Sequence, residues 1–251
     1  MPFDLSQFQL DRGRSLRDQI YAIVRTLILT AAIKPGETID EKAIAAQLDV
    51  SRTPVREALK KLSDEHLVEV LAQSGTRAAK ISRADIHESY LIRRALEIES
   101  ASQAAAHINQ DHSDRLSDIL HRHSRAIERR QYVDAINADD EFHAQIAMIS
   151  NLPRLWKTIE ISKAPFDRCR HMMLPRAGQA EATLEQHREI IRALNSHDPD
   201  RAAAAMRHHL DSAYRSAANV LDAANITDLR GPAASLYEKP SRPGRRLIRP
   251  T

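Results

Sequence analysis

Aromatic residues make up only 4% of this 251-residue chain, and glycine occurs only 6 times. Strands and tight turns draw on those residues. Their scarcity beside abundant Ala, Leu, Ile, Arg and Glu leaves a helix-forming composition. The one cysteine, Cys169, excludes an internal disulfide framework. No apolar run is long enough to span a bilayer, and Met1-Pro-Phe-Asp-Leu lacks a charged-then-apolar signal segment. A cytoplasmic protein with no membrane partner is the expectation. Net charge is only +3, and the stretch Ile226–Thr251 holds six basic and two acidic residues. Without it, 31 basic and 32 acidic residues remain. Global charge is therefore no argument for nucleic acid, and any such argument rests on local placement.

What is present begins with Asp49-Val-Ser-Arg-Thr-Pro-Val-Arg-Glu-Ala-Leu-Lys-Lys-Leu62. At about 100° per residue, Val55, Ala58, Leu59 and Leu62 share one side of a helix. Arg52, Thr53, Arg56 and Lys60 share the flank. Ser51 is placed to cap the helix through its hydroxyl, and Pro54 sits in the first turn, where few amides need partners. Such a helix can read a DNA major groove, or it can be an ordinary amphipathic helix with solvated charges.

The surroundings favour DNA. Leu16, Ile20, Ile23, Val24, Leu27 and Ile28 define a helix over 15–30. Lys34-Pro35-Gly36 makes a turn, and Asp40 caps a second helix carrying Ile44, Ala45 and Leu48. After Leu62, residues 67–71 and 76–81 read as two strands about a turn at Gln73-Ser74-Gly75. Helix, turn, helix and hairpin make a winged helix-turn-helix.

Ile33-Lys-Pro-Gly-Glu37, Ala43-Ile-Ala-Ala-Gln-Leu48, Val50-Ser-Arg-Thr-Pro-Val-Arg-Glu-Ala-Leu59, Leu67-Val68 and Gly75 resemble the GntR family of bacterial transcription regulators. Asp49 and His66 stand where that family usually has glycine. The resemblance implies that Arg52 and Arg56 reach bases or flanking phosphates, supported by Ser51 and Thr53. It places Lys42 as a basic contact on the second helix and Gly75 at a wing tip approaching the minor groove. Arginine's donor fork suits guanine O6 and N7, whereas lysine is mostly a phosphate-seeking charge. Lys60 and Lys61 are read as solvated surface.

From Arg83 to Asn219 the pattern predicts an all-helical bundle, with spans 84–107, 113–130, 132–150, 152–173, 181–196 and 198–221. Asp139 and His143, four apart, lie among Ile136, Phe142, Ile146 and Ala147. His187 lies among Leu184, Ile190, Ile191 and Leu194, and His209 shares a face with Ala202, Ala205, Met206 and Ala213. A lone inward histidine is usually a hydrogen-bonded core residue. Three of them with an aspartate would be costly to bury unpaired, and a divalent metal satisfies all four. His208 lies nearer the edge of its stripe. His112, His121, His123 and His197 have polar neighbours and are read as surface. Arg93 and Glu97 also face inward, either as a buried ion pair that orients the helix or with Arg93 presented to an anion.

Arg93-Arg-Ala-Leu-Glu97, Asp139-Asp-Glu-Phe-His143 with Ser150-Asn151, Glu185-Gln-His187 and Met206-Arg-His-His209-Leu resemble the helical ligand-binding (FCD) domain of FadR-type GntR regulators. The resemblance implies that Asp139, His143, His187 and His209 hold a divalent ion, zinc first with nickel or manganese as alternatives. It also implies a small carboxylate or sugar-acid effector near Arg93, and a homodimer on a palindromic operator. The expected organisation is mainly α. A loose arm spans 1–14, the winged helix-turn-helix 15–82 and the helical metal and effector domain 84–222, with a disordered basic tail over 226–251. Two alternatives stand beside a repressor that senses an organic acid: a metal-dependent helical enzyme fused to a DNA-binding module, and a sensor of the metal itself.

Overall fold

The computed structural model describes residues 3–71, 75–173 and 179–223. The basic tail and the middle of the wing turn, residues 72–74, lie outside them. The N-terminal unit begins with α1 (Leu16–Leu29), whose first turn is capped by the Ser15 hydroxyl accepting from the Asp18 amide at 3.3 Å. Its stripe of Ile20, Val24 and Ile28 is fully buried. After the turn at Gly36 come β1 (Thr38–Ile39) and α2 (Glu41–Gln47). Asp40 caps α2, accepting from the Lys42 and Ala43 amides at 2.8 and 3.3 Å. The helix expected to read DNA is α3 (Arg52–Asp64), with Val55, Ala58, Leu59 and Leu62 buried as the wheel requires.

The wing is β2 (Val68–Leu71) and β3 (Gly75–Ala78), paired antiparallel from Val68↔Ala78 to Leu71↔Gly75. A third strand was not expected. β1 lies on the other edge of β3, with Thr38 opposite Arg77 and Ile39 opposite Thr76, in the order β1-β3-β2. Two residues are too short to show a period of two, so the pattern carried no sign of it.

The loose arm is also corrected. Leu5 is fully buried and Phe3 nearly so, in the same core as Ile20, Ile44 and Leu62. The Leu5 amide donates to Gln47 Oε1 at 2.8 Å. Arg12 Nη2 donates to the Asp49 carbonyl at 2.7 Å. A segment with only two deep apolar anchors shows no periodicity, which is why its packing was not visible.

The helical unit comprises α4 (Arg83–His107), α5 (Gln110–Glu128), α6 (Tyr132–Ile149), α7 (Pro153–Ser162), α8 (Ala164–Met173), α9 (Gln179–Asn195) and α10 (Pro199–Ala223). The single helix expected over 152–173 is two helices meeting at Lys163. Pro165 explains the break. Its nitrogen has no hydrogen to donate back along a continuous helix, and its ring crowds the preceding turn. In the first turn of α8 neither penalty applies. Phe142, Ile146, Leu116, Leu194 and Met206 fill the central core, while Ile86, Phe166, Cys169, Val220 and Leu221 form a second one.

The two units meet along α8. Ala164 is buried in the N-terminal core. Arg168 Nη1 donates to the Ala79 carbonyl at 2.7 Å. Arg25 of α1 reaches Asp167 of α8 at 3.2 Å and Glu65, the C-cap of α3, at 3.3 Å. This seam ties the end of α3 and α1 to the bundle.

Candidate functional site

On the N-terminal unit, Lys42, Ser51, Arg52, Thr53 and Arg56 are all exposed on adjoining parts of α2 and α3. Ser51 occupies the cap position of α3, but its side chain makes no cap hydrogen bond. Glu41 of α2, not singled out from the sequence for this face, lies 3.5 Å from Arg52 Nη2 and 3.3 Å from Arg56 Nη2. One carboxylate thus holds both guanidiniums on the seam between the helices. Gly75 is exposed with φ +86°, and no described residue lies within 4 Å of where a Cβ would stand. Glycine is required there by backbone conformation and not by crowding. Lys60 and Lys61 are exposed, with Lys61 Nζ 3.8 Å from the Tyr21 ring centroid.

The second constellation is buried. α6 contributes Asp139 and His143, α9 contributes His187, and α10 contributes His209, with His208 exposed beside it. Donor atoms of His143, His187 and His209 all lie within 4.8 Å of one another. Asp139 sits among them, 3.5 Å from His187 Nε2 and 3.8 Å from His143 Nε2. The Phe142 ring stacks on His187, with centroids 4.2 Å apart.

Their neighbours fix how the rings face. Glu97 lies 2.6 Å from His143 Nδ1 with one carboxylate oxygen and accepts from Arg93 Nε at 2.6 Å with the other. Gln186 Oε1 lies 3.0 Å from His209 Nδ1. An oxygen beside Nδ1 is the outer arrangement that orients metal-bound histidines. Among the described residues, no group makes a hydrogen bond to either ring nitrogen of His187 or of His143. Burial pushes His187 far below its usual pKa and His209 to about 3, so both rings are neutral, the form that binds metal. Buried, neutral and unpartnered imidazole nitrogens around a carboxylate fit a divalent ion.

Two groups here escaped the sequence. Arg170 of α8 donates to Asp139 Oδ2 through Nη2, and to Asp140 at 2.7 Å and Asp167 at 3.0 Å through Nη1. Burial, the largest single influence, would raise the pKa of Asp139, but the groups around it, Arg170 first, together outweigh burial and hold the carboxylate ionised. The unforeseen break at Pro165 sets the direction of Arg170, so no wheel drawn for one long helix placed it here. The other is His123, read as surface. It is only 2% exposed and turned inward from α5, among neighbours His121 and Arg122 that are exposed. Its polar flanks gave a misleading signal, because burial here comes from the bundle and not from adjacent residues. His121 and His197 are exposed and His112 is half-buried.

A cavity of about 50 Å³ lies beside the cluster, with Arg93, His123, Asp139, Arg170, Gln186 and His209 on its wall. By the same measure a water needs roughly 10–15 Å³, so this is room for an ion and a few waters. Arg93 is in the buried ion pair expected as one alternative, with Nε on Glu97, and its side chain also lines the cavity.

Comparison with known proteins agrees with this layout. Residues 16–77 match the family described as bacterial regulatory proteins, gntR family, and residues 88–212 match the FCD domain. The chain is 36% identical over 208 residues to the HTH-type transcriptional repressor RspR of Escherichia coli (strain K12), covering 83% of this chain and 91% of that one. It is 31% identical over 202 residues to an uncharacterized HTH-type transcriptional regulator in an unstable DNA locus of Streptomyces ambofaciens, covering 80% and 85%. Among solved structures, E. coli McbR/YncC matches with a TM-score of 0.70 at 23% identity, over 84% of this chain and 99% of that one, a likeness of fold.

Proposed function

Because this chain belongs to the GntR family of bacterial regulatory proteins, with an FCD domain behind its helix-turn-helix, and so is a DNA-binding transcription regulator and not an enzyme, we propose that it is a cytoplasmic repressor of a metabolic operon that senses a small organic acid. Two copies bind a palindromic operator, each laying α3 in a major groove. Arg52 and Arg56 read bases or flanking phosphates, Ser51, Thr53 and Lys42 support them, and Gly75 lets the wing approach the minor groove. Asp139, His143, His187 and His209 hold a divalent ion, zinc first with nickel or manganese as alternatives. When bound, that ion supplies a positive centre for a carboxylate. Glu97 and Gln186 orient the rings of His143 and His209, and Arg93 adds positive charge to the cavity wall for a carboxylate or sugar acid.

The observation that supports this reading is the meeting of His143, His187 and His209 from three helices at one buried point, with Asp139 beside His187 and His143 and with ring nitrogens that lack partners among the described residues. Arg170 joins Asp139 to Asp167, Asp167 meets Arg25, and Arg25 meets Glu65 at the end of α3. A ligand that binds one arrangement of this chain better than another shifts the spacing of the two reading helices.

The test has two arms. In a footprint of the promoter region next to its own gene, Arg52→Ala and Arg56→Ala are expected to abolish sequence-specific protection; retained protection in both would sink the assignment of the reading helix. In metal analysis and thermal shift, Asp139→Ala and His187→Ala are expected to lose metal-dependent stabilisation while keeping some DNA affinity. Unchanged metal content would refute the site. A metal response of DNA affinity that no organic acid alters would make the ion itself the signal.

A further inference from the structure

We propose that His123 belongs to a second donor set, His123–Asp139–His187, which overlaps the His143–His187–His209 set and gives a divalent ion two adjacent seats. The inference deepens the metal reading and rests on it. Donor atoms of His123, Asp139 and His187 all lie within 4.8 Å of one another, as do those of the three-histidine set. His187 is common to both sets, and neither of its ring nitrogens has a hydrogen-bond partner. His123 Nδ1 is also buried without a partner. Its ring centroid is 5.7 Å from that of His187, and its side chain lines the cavity where Arg93 and Arg170 stand. No described protein group bonds this nitrogen, and an unpaired buried polar atom costs free energy. A borderline divalent cation such as Zn²⁺, Co²⁺ or Ni²⁺, which takes imidazole and carboxylate together, would satisfy the ring.

The arrangement has a consequence that a single four-residue site would not have. Moving the ion toward α5 gives up His143 and His209 of α6 and α10, keeps Asp139 and His187, and gains His123. The site is therefore tolerant of losing His209 or His143 and intolerant of losing His187.

The test is metal affinity in the full chain, measured for Zn²⁺ by competition with a chromophoric chelator and for Co²⁺ by visible absorption. His209→Ala and His143→Ala are each expected to keep one equivalent of Zn²⁺ at reduced affinity. Adding His123→Phe to either should remove the remaining binding, by at least about 100-fold, the upper end of what loss of an outer-shell partner alone costs. The Co²⁺ spectrum of His209→Ala should collapse to that of free ion on the same addition. His187→Ala alone should match the double variants. If His209→Ala and His143→Ala are already as metal-free as His187→Ala, the second seat is overturned and the four-residue site stands. If the unaltered chain takes up no metal, the underlying reading fails instead. Circular dichroism melts of the metal-free proteins report folding, and His123→Asn, which is smaller and polar, replaces His123→Phe should the phenyl ring not be accommodated. Equal Zn²⁺ affinity of His209→Ala with and without His123→Asn also overturns the proposal.

Discussion

The winged helix and the helical bundle both place arginine against carboxylate, and the surroundings make these opposite devices. On α3, Arg52 and Arg56 share Glu41 with side chains 50% and 65% exposed. In the bundle, Arg170 meets Asp139, Asp140 and Asp167 with its side chain 8% exposed. Exposed pairs gain little over hydration and are screened by salt, so they exchange readily for phosphate or base. A buried guanidinium has already lost its water and is committed to its acids. One region keeps its charges available, and the other uses them to fix geometry.

The largest expected effect comes from breaking the committed side. Arg170→Met leaves Asp139 without its guanidinium, with Lys163 on Asp140 and Asp167 at 2.6 Å each and Arg25 on Asp167 at 3.2 Å. Removing one partner of such a buried network costs about 3–5 kcal/mol, read as a shift of the urea midpoint. Arg52→Ala should move the same midpoint by less than about 0.5 kcal/mol. Equal shifts would erase the contrast. Acid sharpens it. Burial would raise the pKa of Asp167, but Lys163, Arg170 and Arg25 together hold it below its usual 3.8. The folded chain therefore binds fewer protons there than the unfolded one, and this stabilisation is present above about pH 4 and lost below it. Asp167→Asn should flatten the acid limb of stability against pH; an unchanged limb would show that other groups set it.

Arg25 lies between the two regimes, 21% exposed and shared between Glu65 and Asp167. Arg25→Ala is expected to cost about 1–3 kcal/mol, the range for hydrogen bonds to charged groups. Metal uptake and operator binding should each survive, while the effect of one on the other, measured as the ratio of operator affinities with and without metal, shrinks. A full ratio in the variant would remove this seam from the route between the sites.

How far the chain could be read in advance follows the same division. α3 was legible because an apolar seat and a polar flank alternate on a helical period, and Asp40 before α2 is a cap whose chemistry is local. Asp139, His143, His187 and His209 were legible because each sits inside an apolar stripe. Asp49 and His66 marked glycine-like positions through the family resemblance, and both adopt positive φ, 50° and 57°. What failed was tertiary. The inward turn of His123 depends on which helices cover α5, and Arg170 depends on a break at Pro165. The packing of Leu5 depends on a pocket made by residues far along the chain. The Arg52–Glu41–Arg56 bridge required knowing how α2 crosses α3.

That bridge gives the smallest effect and the most direct test of availability. Glu41→Gln removes the charge that holds Arg52 and Arg56 but keeps a side chain of similar shape in the first turn of α2. Stability should fall by only a few tenths of a kcal/mol, because the pairs are exposed and a negative charge near a helix N-terminus contributes about that much. Operator affinity has two opposing contributions. Losing a carboxylate beside the phosphates favours binding at every sequence, while losing the brace frees two long side chains that must be ordered again on the DNA. If Glu41 only repels, affinity for operator and for unrelated duplex rises together, and their ratio holds. If it positions the guanidiniums, unrelated duplex gains and the operator does not, so the ratio falls. The shared geometry at 3.5 and 3.3 Å favours the second outcome, and titrating both duplexes at one fixed salt concentration decides between them.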